Sequence, residues 1–281
     1  MVSLRYFAPA GPLRGLISSY YLFQTEIPLF NDLLRAELAQ VRFTLRGRIV
    51  ARFANARTVD CPATMLTGPT CGPVVFEGHG PLIVVGAGLM PAGWAALIGS
   101  HADELADDTA PLDGALGPVI ARTYERLLNT TCPDAIPAVL DAMFGELVRR
   151  ARQAPLWFTQ AADEWLTGSA SPQVDDLIAA TGVSARQVER LAKRLYGASP
   201  KLLARKYRAL QAAVRMGTGE ATTWMDAAGD AFYDQPHFIR EFKQFVGMTP
   251  HRFAVEAAPV LRLTIERRRQ LPTLPKLALY S

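Results

Sequence analysis

Two stretches of the sequence place cationic and amide side chains at helical spacing, a combination that suits contact with a polyanion. The first set is Arg186, Gln187, Glu189, Arg190 and Lys193. The second set is Gln235, Pro236, His237, Arg240 and Lys243. Arginine, lysine and amide groups hydrogen-bond to phosphate oxygens and to base edges in a major groove. We therefore predict that both sets contact double-stranded DNA.

The first set lies on a helix that follows a shorter helix and a tight turn. An apolar face through Leu177 ends at Gly182, and Ser184 is placed to cap the next helix. Opposite its charged side, that next helix carries an apolar stripe formed by Val188, Leu191, Ala192, Leu195 and Tyr196. Two helices joined by a glycine-containing turn predict a helix-turn-helix unit.

The same arrangement returns about fifty residues later in the chain. Ser199 and Pro200 predict the start of a long helix that ends at Gly217. A short helix over Trp224–Phe232, a turn and a helix from Pro236 follow. The apolar stripe of this last helix, which we expect in the core, is formed by Phe238, Ile239, Phe242, Phe245 and Val246. Two recognition helices on one rigid helix suit successive major grooves, about 34 Å apart.

The residues that carry these units resemble the DNA-binding domain of the AraC/XylS family of transcriptional regulators. The resemblance rests on Thr181-Gly-Val-Ser-Ala-Arg-Gln-Val-Glu-Arg190, on Asp234-Gln-Pro-His-Phe-Ile-Arg-Glu-Phe-Lys243 and on Gly247-Met-Thr-Pro250. It covers about residues 160–255 and implies a seven-helix domain that activates transcription. It also implies base contacts from Arg186, Glu189, Arg190, Gln235, Pro236, His237 and Arg240. Ala192 stands where the family usually has a large aromatic residue, so we expect the first unit's core to pack differently.

The chain up to about residue 115 is rich in strand and turn signals. Val41–Leu45 and Ile49–Phe53 alternate in hydropathy on either side of residues 46–48, which predicts a hairpin. The glycines of Val84–Gly88 are typical of a dinucleotide-binding turn, but without βαβ units we interpret them as a tight turn. Breaks between short strands are predicted by Gly-Pro pairs at residues 68–69, 72–73 and 80–81. We expect a small barrel or a sandwich.

Helical periodicity dominates after about residue 115, although a first short helix is predicted earlier, at Pro91–Gly99. Apolar residues at i, i+3, i+4 and i+7 predict a longer helix from Ile136 to Val148. Residues 149–155 are a candidate linker. The predicted fold class is α+β, a β-rich regulatory or dimerisation domain followed by an all-α domain with two helix-turn-helix units. The predicted segments are a regulatory domain (1–150), a double helix-turn-helix DNA-binding domain (156–258) and a basic tail (259–281).

Charge is distributed unevenly along the 281 residues. Residues 1–184 carry 13 Lys/Arg against 18 Asp/Glu, whereas residues 185–281 carry 17 against 8. A basic C-terminal part favours a polyanion partner. Within it, we interpret the cluster from Arg262 to Arg269 as a solvated tail, with contact to DNA phosphates as the alternative.

The remaining composition narrows the class of protein. Cys61, Cys71 and Cys132 are widely spaced, which supports neither a disulfide framework nor a thiolate zinc site, so we expect no metal and no cofactor. The start of the sequence lacks a signal-peptide pattern, and the apolar segment Leu82–Ile98 is broken by glycine and proline. We expect a cytoplasmic protein without a membrane partner.

The leading hypothesis is a sequence-specific transcription regulator that is not an enzyme. We expect double-stranded DNA and RNA polymerase as partners, a homodimer, and control of the N-terminal domain by a small molecule or a protein. We interpret five aromatic residues of that domain as core, with the lining of an apolar pocket as the alternative, and assign no residue to a ligand: Tyr20, Tyr21, Phe43, Phe53 and Trp94. One alternative is a constitutive DNA-binding regulator whose N-terminal domain only makes protein contacts. A more remote one is a DNA alkyl-acceptor repair enzyme, whose chemistry needs an activated cysteine.

Overall fold

The computed structural model describes residues 2–221, 223–256 and 259–281, and the side chains in these ranges except those of Ala115 and Asp230. In this described part, the N-terminal region forms an antiparallel sheet. Its strands are β1 (Val2–Phe7), β2 (Ile17–Thr25), β3 (Leu29–Leu34), β4 (Gln40–Arg52), β5 (Thr58–Asp60), β6 (Thr64–Thr67), β7 (Val74–Leu89) and β8 (Thr109–Pro111). The order across the sheet is β1-β2-β7-β4-β6-β8, with β3 also paired to β7 and β5 to β4.

The hairpin predicted around residues 46–48 is wrong, because β4 is one continuous strand that pairs with β7 on both sides of Gly47. The register changes between Thr44 and Arg46 and again between Arg46 and Arg48. Gly47 adopts a φ of +83°, which glycine tolerates without steric cost. The change in hydropathy alternation that resembled a turn is therefore a β-bulge, which adds residues to a strand without reversing it.

The predicted strand breaks are correct in part. The Gly-Pro pairs at residues 68–69 and 72–73 lie between β6 and β7, but residues 80–81 lie inside β7. There Arg48 pairs with His79 and Arg46 with Ile83, so β7 bulges opposite Gly47. The tight turn predicted over Val84–Gly88 is also wrong, because these residues continue β7 and pair with β2 and β4.

The two faces of the sheet pack against different partners. Tyr20 and Leu22 of β2 belong to a core with helices α2 (Gly117–Leu128) and α3 (Ile136–Val148). Tyr21 and Phe23 belong to a second cluster on the opposite face. Alternating side chains on a strand point to opposite faces, so a single strand contributes to both cores. The helix predicted over residues 136–148 is confirmed. The short helix α1 (Pro91–Gly93), which continues as a π-helix to Ile98, confirms the helix predicted at Pro91.

The C-terminal region is helical, which confirms the predicted α+β class. Its helices up to residue 256 are α4 (Leu156–Gly168), α5 (Val174–Thr181), α6 (Ala185–Tyr196), α7 (Pro200–Gly217), α8 (Trp224–Ala228), α9 (Gln235–Val246) and α10 (Pro250–Glu256). We call α5–α6 the first unit and α8–α9 the second unit. The 18-residue helix α7 joins them. The predicted domain end at residue 258 lies outside the described residues.

Residues 259–281 fold into helices α11 (Pro259–Arg269) and α12 (Lys276–Tyr280), which we call the tail helices. Leu261 and Ile265 pack in the core of the second unit, and Leu277 packs in the core of the first. The expectation of a solvated basic tail is wrong for Arg268, which is only 6% exposed and lies 3.1 Å from Glu37. The tail helices therefore join the sheet to both helix-turn-helix units. No helix in the described ranges is long and apolar enough to span a membrane.

Candidate nucleic-acid interface

The first unit is built around the cap of α6. Ser184 accepts a hydrogen bond from the Gln187 backbone N–H, and the Gln187 side chain accepts one in return from the Ser184 N–H. This reciprocal capping box satisfies backbone donors that a helix start leaves unpaired. Val188, Leu195 and Tyr196 are buried beneath it, so the opposite side of α6 faces outward.

The five residues predicted on α6 lie on that outward side, but they are not equivalent. The Gln187 side chain is engaged in the cap, and Lys193 Nζ lies 3.0 Å from the Glu189 carboxylate. Arg186 and Arg190 are exposed and make no hydrogen bond or ion pair with any described residue. These two guanidinium groups are therefore the ones left available for an external partner.

The second unit is capped at both of its helices. Thr223 forms a capping box with Asp226 at the start of α8. Asp234 caps α9, because its carboxylate accepts a hydrogen bond of 2.7 Å from the His237 backbone N–H. Proline has no N–H to leave unpaired in a first turn, so Pro236 suits its place there. The capping positions fix where the recognition helix begins.

All five residues predicted on α9 lie at or near its surface. Gln235, Pro236, Arg240 and Lys243 are exposed, and His237 is partly buried with its Nε2 3.2 Å from Glu241. Among the described residues, Arg240 and Lys243 have no hydrogen-bond or ion-pair partner. The predicted burial of Phe238, Phe242 and Phe245 is confirmed, since each is 0% exposed.

Glu241 organises two cations that the sequence patterns did not identify. Its side chain is 4% exposed and accepts hydrogen bonds from Arg205 Nε at 2.6 Å and Arg208 Nη2 at 2.7 Å. Burial alone would raise the pKa of Glu241, but the hydrogen bonds from these arginines outweigh it and hold the pKa below its usual value. Both arginines lie on α7, so the carboxylate ties the joining helix to the second recognition helix. An acidic residue within the phenylalanine stripe is the signal that could have found them.

The N-terminal domain contacts the end of each recognition helix. α6 ends at Gly197, where a Cβ would lie 2.5 Å from the Pro69 ring. α9 ends at Gly247, where a Cβ would lie 2.7 Å from Leu33. Ala36 N–H also donates to the Phe245 carbonyl at 2.8 Å. The same domain is thus in close contact with both units.

Lys206, at the middle of α7, anchors this contact. It is 2% exposed, and its Nζ donates to the carbonyls of Glu37 at 3.0 Å and Thr70 at 2.8 Å. Burial lowers the pKa of Lys206, while the nearby Cys71 and Asp107 oppose that shift. A buried ammonium without such partners would be strongly unfavourable, so the two carbonyls fix α7 against the sheet.

A cavity of about 70 Å³ lies on the inner face of the sheet, and we call it the sheet cavity. Apolar strand residues form most of its lining, and Val260 and Thr264 of α11 form one wall. Of the aromatic residues considered from the sequence, Tyr21 lines this cavity, whereas Tyr20, Phe43, Phe53 and Trp94 are core residues outside its lining.

The polar end of the sheet cavity is an ion-pair network. Glu37 accepts hydrogen bonds from Arg42 at 3.2 Å and Arg268 at 3.1 Å, and Gln40 donates to it at 3.0 Å. The Glu37 side chain therefore faces the cavity while its carbonyl binds Lys206. This residue connects the cavity with α7.

Two of the three cysteines lie in environments that disfavour a thiolate. Burial raises the pKa of the Cys71 thiol to about 11, against the smaller effect of Lys206. Burial also raises the pKa of Cys61. Because the thiolate is the nucleophile in alkyl transfer, these environments give no support to the repair-enzyme alternative.

Comparison with known proteins identifies the helical region. Residues 177–255 match the model of a family described as a helix-turn-helix domain. The comparison with curated proteins found no match. The match begins within α5 and covers the rest of the first unit, α7 and the second unit.

Solved structures with a similar arrangement have low sequence identity to this chain. ToxT from Vibrio cholerae is 10% identical with a TM-score of 0.49, over 84% of this chain and 97% of that one. ToxT with a bound unsaturated fatty acid, from Vibrio cholerae strain SCE256, is 9% identical with a TM-score of 0.49, over 90% and 94%. The AraC-like transcriptional activator CuxR is 15% identical with a TM-score of 0.29, over 76% and 87%.

The family match and the two capped recognition helices agree on the nature of the C-terminal part. The first unit, the joining helix α7 and the recognition helix α9 lie where the sequence motifs predicted them. Residues 177–255 of this chain form a helix-turn-helix domain whose motifs resemble those of the AraC/XylS family, and the chain is a DNA-binding transcription regulator.

Proposed function

We propose that this regulator reads a specific DNA site by placing α6 and α9 in two successive major grooves. The observation that carries the proposal is that two capped helices, each with an exposed polar face, are attached to one continuous helix, α7. Major grooves on one face of DNA recur about every 34 Å, and a rigid connection between recognition helices fits that regular spacing.

The contacts we assign differ in kind. Arg186, Arg190 and Arg240 act on base edges or phosphates, since arginine pairs with guanine through two hydrogen bonds. Lys193 and Lys243 act on phosphates and contribute affinity that depends on salt. Gln187 and Pro236 position the starts of α6 and α9. The DNA-contacting faces of these helices also include Glu189, Gln235 and His237.

We also propose that the N-terminal domain controls this reading, with the sheet cavity as the site of a small-molecule effector. Support comes from Glu37, which contacts the cavity through its side chain and α7 through its carbonyl. The alternative is a constitutive regulator whose N-terminal domain only holds protein partners. A change in melting temperature with a metabolite would favour the first, because a ligand that binds only the folded state raises it. Homodimer formation and contact with RNA polymerase remain predictions.

The test is fluorescence anisotropy of the full chain on DNA from upstream of its own gene and on random DNA, across a salt series. We expect selective binding that weakens as salt rises. Arg240→Ala removes a predicted contact, and Arg262→Ala is its matched control, because Arg262 is exposed on α11 outside both units. Equal affinity for both DNAs, or equal losses for both variants, would contradict the proposed reading of sequence.

A further inference from the structure

We propose that α11 is a movable wall of the sheet cavity, and that the cavity binds a small, largely apolar molecule that carries a hydrogen-bond donor. The effector role of the cavity rests on the proposed function, whereas the binding itself does not. The volume of about 70 Å³ is small for a ligand. An apolar cavity of about 150 Å³ in another protein holds benzene. A molecule of that size therefore enters this cavity only if a wall moves.

The strands are the walls least able to move. Tyr21 and Phe23 lie on β2, which is bonded to β1 on one side and to β7 on the other. Displacing such a strand breaks a ladder of backbone hydrogen bonds. α11 instead contributes Val260, Thr264 and Arg268 as a separate helix packed across the opening.

α11 is attached to the sheet domain by apolar packing of Val260 and Leu263 and by polar contacts that each involve a side chain. Val260 N–H donates to the Asp32 carboxylate at 2.9 Å, and Arg35 donates to Thr264 Oγ1 at 2.9 Å. Arg268 binds Glu37 at 3.1 Å. Each contact involves a side chain, so α11 can shift by side-chain rearrangement while the backbone ladders of the sheet stay intact.

The donor requirement follows from Gln40, which lines the cavity and is 3% exposed. Its amide nitrogen donates to Glu37, but among the described residues its Oε1 has no hydrogen-bond partner. A buried acceptor without a partner is unfavourable, and a hydroxyl or N–H on a ligand would satisfy it. Arg42 and Arg268 already pair with Glu37 at this end of the cavity, so Oε1 of Gln40 is the acceptor left for a donor on the ligand.

Movement of α11 would change contacts with the DNA-binding helices α7 and α9. Ile265, on α11, packs against the end of α7, where a Cβ at Gly217 would lie 2.9 Å from its Cδ1. Leu261 and Ile265 share a core with Phe238 and Phe242 of the recognition helix α9. A ligand that shifts α11 therefore changes the packing behind the second unit.

The test uses 4-fluorophenol and 4-fluorotoluene, which have similar shapes and differ in one hydroxyl group. Binding to the full chain without DNA is measured by ¹⁹F NMR. We expect 4-fluorophenol to bind about tenfold more tightly, the effect of one added hydrogen bond. In Gln40→Leu this preference should disappear. Ala51→Leu, which fills the cavity from β4, should weaken the binding of both probes.

Hydrogen exchange of the α11 amides measures the movement of the wall. With 4-fluorophenol we expect faster exchange at residues 261–269 and no change in β2 or β7. Unchanged or slower exchange in α11 would overturn the movable wall. Failure of both probes to bind, equal binding of the two, or undiminished binding to Ala51→Leu would overturn the ligand class. If Gln40→Leu does not fold, the preference of the wild-type chain for 4-fluorophenol and the weaker binding to Ala51→Leu still test the ligand class. DNA binding without probes is measured separately, so its failure contradicts only the proposed function.

Discussion

Each helix-turn-helix unit contacts a carboxyl group, the partly buried Asp163 for the first and the buried Glu241 in the second, and the two groups have opposite surroundings. Asp163, on α4, accepts a hydrogen bond of 2.6 Å from Tyr196 of the first unit, and burial raises its pKa to about 7 against the smaller effect of that bond. Glu241, in the second unit, is surrounded by Arg205 and Arg208, which hold its pKa low despite burial. The first unit therefore favours a neutral acid, and the second requires an ionised one.

Two units with similar folds can therefore place a carboxyl group in opposite electrostatic environments. In the first unit a carboxyl group bound to a neutral hydroxyl is most stable with its proton. In the second unit the carboxylate neutralises two guanidinium groups that would otherwise repel each other. We infer that the second unit holds its cations in a more fixed arrangement than the first.

The largest effect is expected from breaking the ion pairs of Glu241 with Arg205 and Arg208 in the second unit. Glu241→Ala should lower the free energy of unfolding by about 2–4 kcal/mol, because it leaves Arg205 and Arg208 without their buried partner. Glu189→Ala in the first unit removes an exposed pair with Lys193 and should cost less than about 0.5 kcal/mol. Urea unfolding followed by circular dichroism at pH 7 measures both. Equal losses of stability in the two variants would mean that the buried Glu241 contributes no more than the exposed Glu189.

A smaller effect compares the two recognition faces on DNA. Arg240→Ala should cost about 1–3 kcal/mol of binding free energy on the specific site if Arg240 reads a base. Arg190→Ala makes the same change in α6. Fluorescence anisotropy on specific and random DNA separates the roles, because a phosphate contact is lost equally on both. A larger loss for Arg190 would place the dominant reader in the first unit.

The next effect tests the raised pKa in the first unit. A carboxyl group with a raised folded-state pKa contributes stability that is present below about pH 4 and lost as the pH rises through about 7. Asp163→Asn removes that loss and should raise stability at pH 8 by on the order of 1 kcal/mol. Thermal unfolding between pH 4 and 8 measures it. Asparagine still accepts from Tyr196, so lower stability of the variant at pH 8 would contradict the raised pKa of Asp163.

The smallest effect concerns the two lysines. Lys243→Ala should reduce the slope of log K against log salt by about 1, as expected for a lost phosphate contact. Lys193→Ala should reduce it less, because Lys193 is already 3.0 Å from Glu189. Salt titrations of DNA binding give both slopes. A greater reduction for Lys193 would show that DNA displaces Glu189.

The sequence predicts best what is determined locally. Ser184 and Asp234 mark the starts of α6 and α9, because side-chain caps act within three residues. The apolar stripe through Phe238 and Phe242 is likewise a local helical pattern. These signals were sufficient for both helix-turn-helix units and for the faces that carry the predicted contacts.

Features that depend on distant contacts could not be predicted in this way. A bulge and a hairpin interrupt alternation alike, so Gly47 resembled a turn until its pairing with β7 was known. The carbonyls that bind Lys206 and the Glu37 carboxylate that binds Arg268 belong to residues more than 100 positions away in the chain. Charge alone predicts solvent exposure for both cations, and only the fold shows that carbonyls and carboxylates replace water around them.

The position of the tail helices has a consequence for the order of events during synthesis. Residues 259–281 follow every element that they hold together. On a growing chain, the sheet cavity lacks its α11 wall, and the first unit lacks Leu277 from its core, until this segment leaves the ribosome. Joining of the sheet domain to the DNA-binding units therefore completes after translation of the segment, so a prematurely terminated chain would carry both recognition helices without the helices that fasten them to their regulatory domain.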